Sequence, residues 1–321
     1  MSGGARDPGG KPSATGHESL IATLVVIVVA AALAWGTFQR NAEYASRVSI
    51  LRTVVERWPH GRAHFNLAVA LRMQGAGSSD EAVTHLRLAI PDTPEARYAL
   101  GSELYERGQF DEAIAELREF IRQNPKHLDV PASRNFIGMS LAQQGKLPEA
   151  AAELMAALKS TPQDPELHGN LAFVLMRQND VAGAIRHYEE SLKYRPNNAF
   201  ALTNLGIAHA AMGRTQEAMR YFRQGVEADP GNAAAHLELA KALMGQRDFE
   251  GAAMHATEAI RLRPGEPFVH NLAGIAYASQ EKLAEAIEHF RQAVAINPNF
   301  VEARNNLAAA EGMIRASKGA K

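Results

Sequence analysis

Apolar and polar residues alternate over residues 61–300 with the spacing of amphipathic helices, and from residue 131 this pattern itself returns every 34 residues. Each period contains two apolar helical stripes separated by a short polar turn, and it ends at a proline. Proline stops a helix because its ring clashes with the preceding turn and its nitrogen carries no proton. The evenly spaced prolines are Pro162, Pro196, Pro230, Pro264 and Pro298. The pattern predicts an all-α fold of successive two-helix units.

Residue types recur at fixed positions when position 1 of a unit is placed at residues 131, 165, 199, 233 and 267. Position 20 is always alanine, at Ala150, Ala184, Ala218, Ala252 and Ala286. Position 8 is always small, at Gly138, Ala172, Gly206, Ala240 and Gly274, and position 24 is apolar or aromatic. Small residues allow two helices to pack closely. The small, aromatic and proline positions resemble those of the tetratricopeptide repeat superfamily. That resemblance implies a right-handed α-solenoid.

Less regular units precede these five, and a single helix follows them. Two earlier stretches fit the same frame with insertions at Gly75–Ser79 and Lys126–Pro131. Residues 301–316 predict one helix without a partner, which would cover the last exposed apolar surface of the array. We predict seven units, a capping helix at 301–316 and a disordered tail at 317–321. The units are 61–93, 94–130, 131–164, 165–198, 199–232, 233–266 and 267–300.

Position 15, in the turn between the two helices, favours residues that adopt a left-handed backbone at low cost. It is occupied by Gly108, Gly145, Asn179 and Gly213, but by Arg247 and Glu281 in the last two units. A left-handed conformation at those two residues would cost about 1 kcal/mol. The sequence leaves open whether the turn changes shape there or is strained.

The first forty residues differ from the repeats in composition. Residues 1–19 are rich in glycine, serine and proline, which predicts a disordered tail. Leu20–Phe38 contains 19 residues without a charge, long enough at about 30 Å to cross a bilayer as a single helix. A cleavable signal peptide is the alternative, but the run is long and no cationic excess precedes it. Residues 39–60 then predict a linker helix, with its apolar stripe between Asn41 and Trp58.

The membrane side of the repeats stays open between cytoplasmic and periplasmic. Four arginines follow the predicted span and weakly favour a cytoplasmic array. Residues 39–71, however, resemble the junction between the last membrane helix and the first repeats of O-mannosyltransferase-type membrane proteins that carry tetratricopeptide repeats. In that family the repeats face away from the cytoplasm. We therefore expect a single-pass protein of the cell membrane without assigning its orientation.

Composition excludes several classes of function. The 34 basic and 35 acidic residues are interspersed and give a net charge of −1, so no basic surface for nucleic acid is expected. The absence of cysteine excludes disulfides and thiolate chemistry. We find no nucleophile elbow or clustered pair of carboxylates, and we predict neither an enzyme, a cofactor nor a small-molecule substrate.

Seven of the twelve histidines recur at two repeat positions. His168, His236 and His270 occupy position 4, and His85, His187, His255 and His289 occupy position 23. Residues at one position of successive units lie about a helix-pair width apart and cannot share an ion at about 2 Å. We therefore predict structural or solvated histidines and no metal site.

Asparagine recurs at positions 5 and 6 of the first helices, which line the concave groove in tetratricopeptide arrays. These residues are Asn66, Asn135, Asn170, Asn204, Asn271 and Asn306. An amide side chain offers a donor and an acceptor, as a peptide backbone does. Together with Phe173 and Phe200 they are the candidate partner-binding residues; alternatively, the asparagines hydrogen-bond neighbouring helices. We expect a membrane-anchored scaffold that binds a protein or an extended segment. The alternative is an accessory subunit that presents polypeptide substrate to a membrane glycosyltransferase.

Overall fold

The computed structural model describes residues 46–73 and 80–319, together with residues 28, 29, 31–33, 35 and 36. Regular secondary structure in this part of the chain is helical, and no strand occurs in it. The chain divides into two compact units, Met1–Arg107 and Gly108–Lys321. The division falls inside the predicted repeat at 94–130.

The helices follow one another in pairs, as the repeat pattern predicts. In the first unit they are α1 (Arg47–Arg57), α2 (Gly61–Met73), α3 (Asp80–Ala89) and α4 (Glu95–Glu106). In the second unit they are α5 (Phe110–Gln123), α6 (Val130–Gln143), α7 (Leu147–Leu158), α8 (Pro165–Arg177), α9 (Val181–Tyr194), α10 (Ala199–Ala211), α11 (Thr215–Ala228), α12 (Ala233–Gly245), α13 (Phe249–Leu262), α14 (Pro267–Ala278), α15 (Leu283–Ile296) and α16 (Val301–Gly319).

The linker helix α1 begins at Arg47, later than the predicted start at Asn41. Ser46 has an extended backbone, its hydroxyl accepts from the amide of Ser49, and the Ser49 side chain accepts from the amide of Ser46. This reciprocal capping box satisfies amide protons that have no partner inside the helix, and so it fixes the helix start.

The predicted membrane span at 20–38 lies largely outside the described residues, as do the tail at 1–19 and the insertion at Gly75–Ser79. Among the described helices, none combines the length and the apolar character needed to cross a bilayer. The anchor therefore stays a prediction from the sequence.

Glu103 carries a buried charge in the first unit. Its side chain is fully buried, and its carboxylate lies 2.9 Å from Nε of Arg72 and 3.2 Å from Nε of Arg107. Arg107 also contacts Asp80 at 2.7 Å. These ion pairs connect α2, α3 and α4, because each arginine reaches a carboxylate on a different helix.

Helix packing in the second unit confirms the small and large positions of the repeat. The five position-20 alanines are all buried. A methyl group added at Gly206 would lie 2.5 Å from the ring of Phe222, and one added at Gly274 would lie 2.5 Å from the ring of Phe290. The paired helices are therefore packed so closely that the aromatic residue at position 24 uses the space left by glycine at position 8.

The periodic prolines lie just beyond the ends of second helices. α9 ends at Tyr194, and Arg195 before Pro196 has φ −136°. α13 ends at Leu262, and Arg263 before Pro264 has φ −139°. A residue that precedes proline is pushed out of the helical region, so the helix must stop there. The prolines act as the helix breakers that the spacing predicts.

The turn between the helices keeps one shape throughout the described repeats. Gly108, Gly145 and Gly213 have φ of 74°, 78° and 73°. The three residues other than glycine at this position adopt the same conformation, at Asn179 (65°), Arg247 (61°) and Glu281 (60°). The turn therefore does not change shape at the last two residues, and their backbone is strained.

First helices line the concave side of the second unit. Neighbouring first helices contact one another from α6 to α16, and neighbouring second helices approach one another less closely. An array bends toward the side on which its helices lie closer together. The last helix, α16, continues to Gly319, past the predicted end at residue 316.

Candidate functional site

Aromatic side chains occupy the middle of the concave face, which we define as the exposed residues of α6, α8, α10, α12, α14 and α16. The rings of Phe173 on α8 and Phe200 on α10 lie 6.3 Å apart and are tilted by 49°. Phe200 is 47% exposed, and Phe268 at the start of α14 is 45% exposed. Large apolar rings are thus accessible on a surface that spans several repeats.

Two cations lie beside these rings. The guanidinium of Arg177 is 6.0 Å from the ring centre of Phe173, and the ammonium of Lys241 is 5.3 Å from that of Phe268. Lys241 also contacts Glu238 at 2.7 Å. Near Phe268 a cavity of about 180 Å³ extends between α12 and α14 and is lined by Leu237 and Val269. The middle of the face therefore combines apolar surface with a few hydrogen-bond donors.

Asn135 on α6 connects its repeat to the next. Its Oδ1 accepts from Nδ2 of Asn170 at 2.8 Å, and its Nδ2 donates to Oε1 of Glu166 at 3.1 Å. Asn135 itself is buried, with 8% of its surface exposed. Its amide is therefore engaged between α6 and α8.

The same three-residue arrangement returns at the end of the array. Oδ1 of Asn271 accepts from Nδ2 of Asn306 at 3.0 Å, and Nδ2 of Asn271 donates to Oε1 of Glu302 at 3.1 Å. These two Asn–Glu–Asn clusters lie four repeats apart and flank the aromatic middle of the concave face. Both fasten one first helix to the next.

Asn204 and Asn66 belong to neither of these clusters. Nδ2 of Asn204 donates to the carbonyl of Phe200 in its own helix at 2.8 Å, beside the exposed ring of that residue. Asn66 is exposed on α2 of the first unit. Four of the six predicted asparagines thus form bonds between helices, the alternative that the sequence leaves open. A partner-binding role for the six asparagines stays a prediction.

Glu166 and Glu302 complete the clusters but are not among the residues predicted from the sequence. Both stand at position 2 of a unit that follows a unit with asparagine at position 5. Comparison of position 5 in one unit with position 2 in the next would have revealed them, since these positions meet across the repeat boundary.

Histidines at positions 4 and 23 of one unit contact each other, a pairing that the sequence comparison missed because it considered each position separately. The Nδ1 atoms are 2.9 Å apart in His168 and His187 and 3.0 Å apart in His236 and His255. In the unit at 131–164 the same positions hold Arg134 and Glu153, which form an ion pair of 2.6 Å. In the part of the chain that the structure describes, no group of three or more histidine, cysteine, aspartate or glutamate residues could hold a metal ion.

Family models match nearly the whole helical part of the chain. Models described as tetratricopeptide repeat match residues 38–97, 98–165, 164–231 and 209–274. A further model, described as TPR repeat, matches residues 274–311. Together the matches run from residue 38 to residue 311.

Solved structures share the fold at low sequence identity. The chain is 18% identical to Pseudomonas aeruginosa pilF, with a TM-score of 0.61, over 67% of this chain and 97% of that one. It is 17% identical to a chain of the APC/C hetero-tetramer Cut9–Hcn1, with a TM-score of 0.62, over 82% of this chain and 52% of that one. No curated protein sequence matches the chain. At this identity the likeness shows the helical repeat fold and nothing finer.

Proposed function

Because the chain belongs to the tetratricopeptide repeat family, we propose that it is a membrane-anchored scaffold whose concave face binds an extended segment of a partner protein. The observation that carries this proposal is the accessibility of Phe200 and Phe268 on that face, since about half of the surface of each residue is exposed. Exposed aromatic side chains on one face offer apolar surface that a partner can cover. The exposed rings are suited to binding rather than to chemical transformation.

The chemistry around the rings indicates the kind of segment that fits. Phe173 and Phe200 offer a site for an apolar or aromatic side chain, and burial of such an anchor typically dominates the affinity of an interface. Arg177 and Lys241 can donate to backbone carbonyls or to a carboxylate of the same segment. We therefore expect an extended polypeptide with apolar side chains.

The membrane anchor is the second part of the proposal, and the uncharged run Leu20–Phe38 supports it. Deletion of residues 20–38 is expected to move the protein from the membrane fraction to the soluble fraction. Because the natural chain has no cysteine, single Ser13→Cys and Ser317→Cys variants can be labelled with a membrane-impermeant maleimide in intact cells. Labelling of only one of them would identify the side that carries the repeats, and persistence of the deleted protein in membranes would contradict the anchor.

An accessory subunit of a glycosyltransferase system is the alternative that the resemblance of residues 39–71 suggests. That stretch falls inside the tetratricopeptide match at 38–97, which accounts for part of the resemblance. A glycosyltransferase gene next to the gene for this chain would favour the alternative. Neighbouring genes for envelope assembly would favour the scaffold.

The concave face can be tested by site-specific photo-crosslinking in the native host. A photoreactive phenylalanine analogue at Phe200 or Phe268 is expected to crosslink one partner that the same group at Met254 does not. Met254 is a matched control because it is 60% exposed but lies on the second helix α13.

The affinity of variants for the identified partner then tests whether the concave face is the binding site. With purified components, Phe200→Ser combined with Phe268→Ser is expected to weaken binding by at least about tenfold, and Met254→Ser to leave it unchanged. Equal affinities for the three proteins would exclude the concave face as the binding site.

A further inference from the structure

Two histidine pairs in the second unit join the two helices of a repeat by their imidazole nitrogens. His168 on α8 meets His187 on α9, and His236 on α12 meets His255 on α13, with Nδ1–Nδ1 distances of 2.9 and 3.0 Å. His168 and His236 are buried, whereas His187 and His255 are half-buried. Each pair therefore has one ring fixed in the interior and one that reaches solvent.

Hydrogen bonds to backbone carbonyls determine the tautomer of the two buried rings. Nε2 of His168 lies 3.0 Å from the carbonyl oxygen of Pro162, and Nε2 of His236 lies 3.3 Å from that of Pro230. A carbonyl oxygen can only accept, so Nε2 must carry the proton. In the neutral ring Nδ1 is then left with a lone pair directed at the paired histidine. Metal-binding histidines commonly have their second nitrogen held by a backbone carbonyl in this way.

The separation of the two Nδ1 atoms corresponds to a particular coordination geometry. Two nitrogens that each lie about 2.0–2.1 Å from one ion are about 2.9 Å apart at a right angle and about 3.4 Å apart at a tetrahedral angle. The observed distances are those of an N–H···N hydrogen bond, and they also equal the right-angle separation, so an ion with that geometry could bind without moving the rings apart. Tetragonal geometry with nitrogen and oxygen ligands is characteristic of Cu²⁺ and Ni²⁺.

We propose that each of these two histidine pairs binds one divalent ion of tetragonal preference, Ni²⁺ or Cu²⁺, through its two Nδ1 atoms. Water completes the coordination sphere, because each pair supplies only two protein ligands. Without an ion, the Nδ1 proton of His187 or His255 is donated to the buried partner. When the ion binds, that proton moves through solvent to Nε2 of the same half-buried ring, so no net proton is released from the neutral pair.

The surroundings of the pair of His236 and His255 leave room for an ion and its water. His236 and His255 line a cavity of about 620 Å³ together with Glu250 and Glu258. A carboxylate also follows each half-buried histidine by three residues on the same helix face, at Glu190 and Glu258. Lys193 and Arg261 form ion pairs with these carboxylates at the helix surface.

The repeat at 267–300 independently supports ion binding at the position-4 histidines. Nε2 of His270 lies 3.2 Å from the carbonyl of Pro264, as in the other two repeats, and the rings of His270 and His289 lie 5.8 Å apart. Here Nδ1 of His270 is buried and has no hydrogen-bond partner among the described residues. A buried polar nitrogen of this kind is usually satisfied by water or an ion.

The experiment compares ion binding by the untagged full-length protein and by a variant that the chain itself suggests. In this exchanged variant, arginine replaces His168 and His236, and glutamate replaces His187 and His255. The substitutions reproduce the ion pair of Arg134 and Glu153, so the helices stay connected. His127→Gln is the matched control, since it removes a histidine that belongs to neither pair. Bound Ni²⁺ is measured by equilibrium dialysis and elemental analysis, and bound Cu²⁺ by electron paramagnetic resonance.

The wild-type protein and the His127→Gln control are expected to bind two more ions than the exchanged variant, with a two-nitrogen pattern in the Cu²⁺ spectrum. Lowering the pH from about 7.5 to about 5.5 should weaken binding, because imidazolium cannot coordinate. Equal stoichiometry in the wild-type protein and the exchanged variant, or no binding to the wild-type protein, would overturn the proposal. If the exchanged variant does not fold, His187→Gln with His255→Gln provides the same comparison.

Discussion

The side chains of Asn135 and Asn170 connect two successive repeats through a hydrogen bond of 2.8 Å from Nδ2 of Asn170 to Oδ1 of Asn135. The remaining amide group of Asn135 bonds to Glu166, so the residue uses both its donor and its acceptor inside the array. Because Asn271, Asn306 and Glu302 repeat this arrangement, asparagine at position 5 stabilises the boundary between repeats.

Substitution of Asn135 is expected to destabilise the array. Asn135→Ala removes two hydrogen bonds at a buried position, and the loss should lower the free energy of unfolding by about 1–3 kcal/mol. Urea unfolding followed by circular dichroism would measure it. Asn204→Ala is the control, because that amide bonds only to its own helix, and its effect should stay within about 0.5 kcal/mol. Equal losses in the two variants would show that the bond between repeats contributes nothing.

Glycine at position 8 offers a test of helix packing. In Gly206→Ala the new methyl group would lie 2.5 Å from the Phe222 ring, and the resulting displacement should cost about 1–3 kcal/mol of unfolding free energy. Gly245→Ala adds the same methyl group at an exposed helical position with no atom within 4 Å. It should stabilise the protein by up to about 1 kcal/mol, since alanine favours the helix. Thermal unfolding would measure the stability of both variants. A Gly206→Ala protein more stable than the Gly245→Ala protein would contradict the packing argument.

The buried carboxylate of Glu103 stabilises the first unit only while both arginines remain paired with it. Glu103→Ala leaves Arg72 and Arg107 without their buried partner and should cost about 3–5 kcal/mol. Glu106→Ala is the control, because its carboxylate is 54% exposed and lies 3.6 Å from Arg72; its effect should be below about 1 kcal/mol. Hydrogen exchange of amides in α2 and α4 would localise the loss, and unchanged protection in Glu103→Ala would disprove the role of the ion pair.

Acidification is expected to weaken the histidine-containing repeats. Burial lowers the pKa of His187 and of His255, and the positive charge of the paired histidine lowers each pKa further. Since the unfolded chain binds these protons more readily, stability is fully present above the ordinary histidine pKa of about 6.5 and is lost as the pH falls through the lower folded values.

Melting temperatures across that pH range, measured without metal ions, would show the effect. The exchanged variant with arginine and glutamate at the four histidine positions should lose less stability between neutral and acid pH than the wild-type protein. A pH dependence identical in the two proteins would assign the acid sensitivity to other groups.

Local and periodic features of the fold could be predicted from the sequence. Proline positions predicted the ends of the second helices, because a proline inside a helix removes a hydrogen bond and clashes with the preceding turn. The small and aromatic positions predicted that the two helices of each repeat pack closely. The strained turns at Arg247 and Glu281 were identified as unusual, but only the structure showed that they keep the left-handed conformation.

The pairing of side chains from different repeat positions could not be predicted in the same way. His168 and His187 are 19 residues apart, and Asn135 and Asn170 are 35 residues apart. The histidine pairs were missed because each repeat position was compared only with itself. For the asparagines, the sequence left open whether they bind a ligand or hydrogen-bond neighbouring helices.

The sequence by itself determined the repeat length, the position of the helix breakers and the close packing within each pair, because backbone sterics and side-chain volume act over a few residues. The tertiary structure alone decided which polar groups meet. In the folded array four asparagines bond between repeats, the histidines pair within repeats, and Phe200 and Phe268 remain exposed. The physical reason is that these contacts depend on the distance and rotation between helices, which are set by the packing of the whole array.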